Sequence, residues 1–447
     1  MLISNVRLLH PDSELTSKLW AVDCVDGKVR RVQEVSERLT GDLDAKGGIM
    51  IPSLCHPHIH LDKCFILGMA GLIVEGDFKE AMRLTSTAKG TFNHRDLYDR
   101  GERLIRESIE WGVTSMRAHV EVDEIVRFSC LDVALELRKK YEAACDIQIA
   151  VFAQEPLFMA PGDTTPGPNY ELLREAVERD EVHVVGSAPY VEPTIVQAKK
   201  NIALILGFLD SRRVENVDFH LDYNLDPQME PLIYEVIAQA RGIHIDKGAH
   251  RDSNAAARGR PTITIGHATR LQLLSAEEWT TLARELADLP INIALVSLPQ
   301  SDLYMQGRSD EELSLGAPRG TLRVTHLYRK YGLQVAMGVN NVQNAFTPQG
   351  SLDPLSLCTL GVAIFQAARA RDIDLLIRSV TLNAKTAINH ERTQADLFPT
   401  EEDPADFVIL HTNDSFESVV LNPSLDRTTI RAGVVVASKK SVATWSM

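Results

Sequence analysis

The sequence contains no apolar run long enough to span a bilayer, no Cys-x-x-Cys, and no Gly-x-Gly-x-x-Gly following a strand-like stretch. These absences exclude a transmembrane helix, a zinc ribbon or thioredoxin-type redox pair, and a dinucleotide fingerprint. Positive charge is also scarce. The 47 Lys and Arg are outnumbered by 61 Asp and Glu, leaving a formal net charge of −14. That balance argues against a surface that grips nucleic-acid phosphates. Cys24, Cys55, Cys64, Cys130, Cys145 and Cys358 are scattered without a disulfide-type spacing, so a reducing, cytoplasmic setting is expected. Met1 to Arg7 lacks the long apolar core and cleavage site of a secretory signal. Neither nucleic acid nor membrane is expected as a partner.

What is present reads as a globular enzyme-sized chain. Hydrophobic residues make up 44% and charged residues 24% of 447 residues, more than one ordinary domain but within reach of a (β/α)8 barrel with insertions. Residues 1–48 read as short strands near 6–9, 19–25 and 29–32, with Asp26-Gly27 as a hairpin signal. From Ile49 the texture becomes strand, loop and helix in repeated units. Strands are expected at 49–60, 113–122, 146–154, 182–189, 217–223, 262–269, 291–298 and 333–341. Helices are expected at 131–144, 169–178, 196–209, 232–241, 275–287 and 321–331, followed by 352–371 and 375–389. Asp353-Pro354 reads as an N-cap and first helical position. Eight strands, each followed by a helix, favour a closed TIM-type barrel over 49–403. The strand-rich ends, 1–48 and 404–447 with strands at 407–411, 418–421 and 428–436, are expected to pair into a small β-sandwich. Met159 to Pro168 and the polar loop with Arg251, Arg258 and Arg260 are long enough to be lids or disordered insertions.

The chain gathers imidazoles where barrel strands end. His58 and His60 are two apart, so in a strand they project from one face, and two neutral imidazoles on one face make half of a zinc or iron site. His56, also two from His58, shows how readily the pattern arises. Strand two carries His119 with Glu121, and His119 is as compatible with a satisfied core histidine as with a ligand. Strand three ends in Gln154 and Glu155, strand four in Tyr190, strand five in His220 and Asp222, strand six in His267, and strand eight in Asn340 and Asn341. Barrel active sites form at these ends. Histidines from four strands at one mouth favour a metal site over solvent-facing tips. Asp62 and Lys63 read as an exposed ion pair of little consequence, and Cys55 and Cys64 as small apolar fillers.

These blocks resemble the amidohydrolase superfamily, in particular its cytosine deaminase-like branch. The resemblance runs in order through His58-Ile59-His60-Leu61-Asp62, Gln154-Glu155, Gly186-Ser187-Ala188-Pro189, Phe219-His220-Leu221-Asp222, Gly266-His267-Ala268-Thr269, Gln306-Gly307-Arg308 and Arg319-Gly320. It implies one divalent metal ion, zinc or iron, held by His58, His60, His220 and a strand-eight aspartate. It also implies that His267 stands beside the attacking water, and that Gln154 bonds a ring or amide of a small-molecule substrate, with Asn341 as a further contact. The nucleobase deaminases with a Pro-Cys-x-x-Cys element are not relatives, because that element is absent.

Two positions depart from the family pattern. Asn340 stands where the family has its aspartate, and an amide is neutral and has no useful basicity. Tyr223 stands where the family has a proton-shuttling glutamate, and a phenol is a poor base at neutral pH. Asp222, Glu155 or Asp226 could replace the lost base, Asp222 being equally suited to orienting a histidine. The expected activity is hydrolysis of a non-peptide C–N bond in a small cyclic amide, amidine or nucleobase-like heterocycle. The alternative is a repurposed barrel that binds a small molecule, or an isomerase or cyclase, without metal. Association into a homo-oligomer is left open.

Overall fold

The computed structural model describes residues 1–10, 13–211, 213–243, 261–307 and 319–446. Arg251, Arg258, Arg260 and Arg308 lie outside them. Four N-terminal strands, β1 (Leu2–Val6), β2 (Leu19–Val25), β3 (Lys28–Val35) and β4 (Leu43–Asp44), form one sheet in the order β3-β2-β1-β4. Asp26 and Gly27 both have positive φ, +49° and +76°, the backbone that a two-residue hairpin requires and that Gly adopts without strain. A short strand, β5 (Ile49–Pro52), belongs to a second sheet, completed by β14 (Phe407–Leu410), β15 (Arg427–Arg431) and β16 (Val434–Lys439). Ile3, Val6, Trp20, Val22, Met50, Phe407, Ile409 and Ile430 pack between the two sheets as a core of their own.

Between these ends runs the barrel: β6 (Leu54–His60), β7 (Val113–Glu121), β8 (Asp146–Ala153), β9 (Val184–Ser187), β10 (Asn216–Leu221), β11 (Thr262–His267), β12 (Asn292–Ser297) and β13 (Val335–Met337). The strands are parallel and adjacent in sequence order. The ring closes where β13 runs on to Asn340: its N–H donates to the His58 carbonyl at 3.1 Å, and its carbonyl accepts from His60 N–H at 2.9 Å. Gly338 makes this possible, since a Cβ there would lie 3.2 Å from the His58 carbonyl oxygen and 3.0 Å from Leu298.

The helices lie outside the ring, each burying its apolar stripe. The helix His94–Glu110, for instance, buries Leu97, Leu104, Ile105 and Ile109, each side chain contributing about 1.5–3 kcal/mol by leaving water. Ser275 caps the helix Ala276–Ala287 through a capping box with Glu278, and Asp353 caps Pro354–Phe365, as their spacing predicts.

Three elements differ from expectation. Residues 49–60 are not one strand. Ile49–Pro52 pairs antiparallel with Phe407–Leu410, so the chain enters the barrel only at Leu54, and an apolar run buried throughout carries no mark of the change. Residues 418–421 are helical, within Phe416–Leu421: the Ser415 side chain accepts from Ser418 N–H, and Val419 and Val420 form the buried face. The helix expected at 352–371 breaks after Phe365, where Gln366 turns left-handed at φ +52°, and a new helix starts at Ala370.

Candidate metal centre and active site

Five histidines meet at the C-terminal mouth of the barrel: His58 and His60 from β6, His119 from β7, His220 from β10 and His267 from β11. None is more than 3% exposed. The His58 ring centroid lies 4.2 Å from His119 and 4.4 Å from His220, and His60 lies 5.1 Å from each of the same two rings. Burial, reinforced by neighbouring imidazoles and, for His58 and His60, by Lys63, pushes the pKa values of His58, His60 and His220 well below the ordinary imidazole value. The rings are therefore neutral, with lone pairs available. Both nitrogens of His58 and of His119, Nδ1 of His60 and Nε2 of His220 are buried without a hydrogen-bond partner among the described residues. Each such orphan costs about 1–3 kcal/mol, so a cluster of them fits a divalent cation that would accept their lone pairs.

Local sequence explains the aim of these rings. The β6–β7 register shifts between His56 and Ile59, at Pro57, which has no N–H to give the ladder. His56 consequently faces the outer helix, 3.2 Å from Ser108 Oγ, while His58 and His60 face inward. Gly266 leaves room for His58, because a Cβ there would sit 2.8 Å from the ring. Asp222, His267 and Asn340 end their strands with φ of +53°, +69° and +68°. Such left-handed backbone costs of order 1–3 kcal/mol at non-glycine residues and gathers at functional sites.

His267 Nδ1 is 2.8 Å from Asp302 Oδ1. Burial raises the Asp302 carboxyl, while hydrogen bonds from His267, Thr321 and the Leu298 N–H oppose that shift. With Asp302 holding Nδ1–H, the other ring nitrogen is left bare. Tyr223 stacks on the same ring at 3.7 Å between centroids, and its hydroxyl donates to the Ser301 carbonyl at 3.3 Å. Asp302→Asn is expected to lower kcat about 10–100-fold with little change in KM. Steady-state kinetics with a turned-over substrate would check it, an unchanged kcat counting against a positioning role.

The pocket above the imidazoles is nearly filled by its own side chains, with about 10 Å³ of cavity volume, and is lined by His60, Lys63, Gln154, Tyr190, His220, Tyr223, His267, Ser301, Asn340, Asn341 and Phe346. A space of that size holds about one water molecule, so a small ring would enter only as the lining side chains move.

No protein-family model matches the chain. It is 22% identical over 409 residues to the uncharacterized protein YahJ of Escherichia coli K12, covering 89% of this chain and 78% of that one. It is 20% identical to the N-isopropylammelide isopropyl amidohydrolase of Pseudomonas sp. strain ADP, covering 88% and 87%. Among solved structures, 5-methylcytosine deaminase from Klebsiella pneumoniae superposes with a TM-score of 0.82 at 24% identity, over 100% of this chain and 99% of the other. The fold is that of this deaminase and of the N-isopropylammelide isopropylaminohydrolase from Burkholderia multivorans, which superposes with a TM-score of 0.73 at 20% identity over 98% of each chain.

Within this fold, the residues singled out in the sequence separate into two groups. His58, His60, His220 and His267 converge, and Gln154, Tyr223, Asn340 and Asn341 line the pocket beside them. Gln154 Oε1 accepts from Lys63 at 3.2 Å, and Asn341 Oδ1 accepts from Asn344 at 2.7 Å. Asn340 Nδ2 donates to Ser301 Oγ at 2.6 Å, leaving Oδ1 unpartnered.

The carboxylates considered as replacement bases lie elsewhere. Asp222, turned by its left-handed backbone, accepts from Leu232 and Ile233 N–H at 2.7 and 3.1 Å and caps the following helix. Burial raises its pKa to about 6, but its oxygens face backbone rather than the pocket. Glu155 pairs with Lys89 at 3.0 Å, and Asp226 accepts from Gln228 N–H in an exposed turn.

Lys63 corrects the sequence reading. It is 2% exposed and lines the pocket. Its partner is Glu121 at 2.7 Å rather than Asp62, and Asp62 is itself buried, accepting from the Glu121 N–H at 2.6 Å. Glu121 also holds Lys89 at 2.7 Å, which reaches Asp123 and Glu155. Two residues at the site had no sequence signal. Asp302 follows strand seven, whose end offered no histidine, and Asp218 precedes His220 in a strand that reads as plain core.

Proposed function

We propose that the chain is a metal-dependent amidohydrolase or deaminase that hydrolyses a non-peptide C–N bond in a small cyclic amide, amidine or nucleobase-like heterocycle. One observation carries this reading: buried imidazoles from three strands leave unpartnered nitrogens beside a pocket lined by polar and aromatic side chains. His58, His60 and His220 would hold a divalent cation, zinc or iron, which acidifies water toward neutral pH and polarises an sp² carbon. The chain's own residues do the rest. Gln154 and Asn341 offer amide groups to ring nitrogens and oxygens, Tyr223 fixes the face of His267, and Asp302 holds the tautomer that turns a bare nitrogen to the pocket. Asn340 brings a neutral oxygen and cannot take a proton.

The test is release of ammonia or amine from a panel of aminopyrimidines, aminotriazines and cyclic ureides, with and without a chelator. Chelator-sensitive turnover of one class is expected. No release from any member after zinc, iron or manganese is supplied would overturn the reading. The second reading, binding or isomerase or cyclase chemistry without metal, is favoured by Asn340 and by the Tyr223 hydroxyl being engaged with a backbone carbonyl.

Asn340→Asp is expected to raise zinc affinity by about tenfold or more, since it adds a negative charge within a few ångströms of the cation in a dry site. Chelator competition would measure it. A weaker site in that variant would mean that residue 340 does not face the ion.

A further inference from the structure

We propose that Asp218 and His119, one layer below the His-x-His pair, join the cation's ligands, and that Asp218 supplies the negative charge that Asn340 lacks. The inference rests on the metal-dependent reading above. One ligand atom from each of His58, His119, Asp218 and His220 lies within 4.8 Å of each of the others. Bonds near 2.1 Å bring neighbouring ligand atoms to roughly 3 to 3.5 Å of one another, so these atoms would draw in to share an ion, with His60 completing a five-ligand set. All four residues are at most 2% exposed, and the candidate set contains no solvent-facing acid.

Asp218 is two residues before His220 on β10 and shares its inward face. Its Oδ2 accepts from Arg117 at 2.9 Å, and Arg117 is pinned in turn by Thr264 Oγ1 at 2.6 Å, Gln148 Oε1 at 2.6 Å and the Ile388 carbonyl at 3.2 Å. That scaffold fixes one carboxylate oxygen and leaves the other. Oδ1 is 3.2 Å from His119 Nε2 and 3.9 Å from His58 Nδ1, and it makes no aligned hydrogen bond to a described residue. Both nitrogens of His119 are equally unpartnered. A carboxylate oriented by an outer partner, with a free oxygen among buried imidazoles, is how a protein presents an anionic ligand. Asn340 Oδ1 is also unpartnered, but it adds a dipole without a charge.

The experiment measures zinc content and zinc affinity, by elemental analysis and chelator competition, on the full chain. It compares wild type with Asp218→Asn, His119→Gln and Asn340→Ala, and thermal melts of the metal-free proteins verify folding. Asp218→Asn and His119→Gln are each expected to weaken zinc at least about a hundredfold, and Asn340→Ala no more than about threefold. The visible absorption of the cobalt-loaded protein should change in both affected variants, a readout independent of turnover. His119→Gln leaves the Arg117–Asp218 pair in place, so it decides the question if Asp218→Asn does not fold. Zinc affinities of Asp218→Asn and His119→Gln within about threefold of a zinc-binding wild type would overturn the inference and leave the functional reading standing. A wild type that takes up no zinc, iron or manganese would overturn both.

Discussion

Replacing His220 with Ala is expected to strip the cation and to lower kcat/KM at least about a thousandfold, about 4 kcal/mol of transition-state stabilisation. His220 is where the chain concentrates its chemistry. Its ring lies 4.4 Å from His58, 5.1 Å from His60 and 5.3 Å from His267, so it is shared by the expected ligand set, by the deeper set with Asp218, and by the pocket lining. Removing it opens a gap that a rigid barrel strand cannot close by moving, because β10 is bonded on both sides to β9 and β11. The fold should survive, since His220 Nε2 has no hydrogen-bond partner that its removal would strand. Metal content and turnover measured on the same preparation check the prediction. Full retention of both would place the chemistry elsewhere.

Glu121→Ala should have the largest effect on stability, a loss of about 3–5 kcal/mol. Glu121 is 1% exposed and bridges two ammonium groups, Lys63 and Lys89, each 2% exposed. Burial alone would raise its pKa, but Lys63 and Lys89 hold it down at about 2. Truncation leaves Lys63 with only the Gln154 amide at 3.2 Å and removes one of three carboxylates around Lys89. The sign of the pH dependence follows from the lowered pKa: the contribution of Glu121 is complete above its unfolded value of about 4.5 and is lost as pH falls toward about 2. The stability gap between wild type and Glu121→Gln, measured by denaturant midpoint at several pH values, should therefore be widest near neutrality and shrink below about pH 4.5. A gap that is absent at pH 7 would show that the bridge contributes nothing net.

Most of the architecture was legible because parallel strands buried on both faces leave apolar runs, and helices leave a stripe with a cap. The capping box at Ser275 and the N-cap at Asp353 before Pro354 were read where they occur. The reading failed where one texture serves two purposes. Ile49–Pro52 and Leu54–His60 are both apolar and buried throughout, so nothing local says that one pairs with the C-terminal sheet and the other with the barrel. Val419 and Val420 are β-branched, yet the serine cap and the packing beneath them make a helix.

The site divides the same way. Strand period two and the barrel rule bring His58, His60, His119, His220 and His267 to one mouth, so the imidazoles could be found from spacing. Partners that depend on tertiary contact could not. Lys63 looks like half of a local ion pair until β7 places Glu121 beside it, and Asp302 meets His267 only because strands six and seven are neighbours. Asp222 shows the converse: a carboxylate two residues after His220 suits catalysis on paper, and a single left-handed residue turns it onto a helix terminus.

The most direct measurement is the elemental composition of the full chain as purified, repeated after dialysis against zinc and removal of excess. About one divalent ion per chain is expected, zinc or iron, retained on dilution and released by a strong chelator. A chain that remains free of metal under both conditions, with its fold intact, would contradict the account at its root.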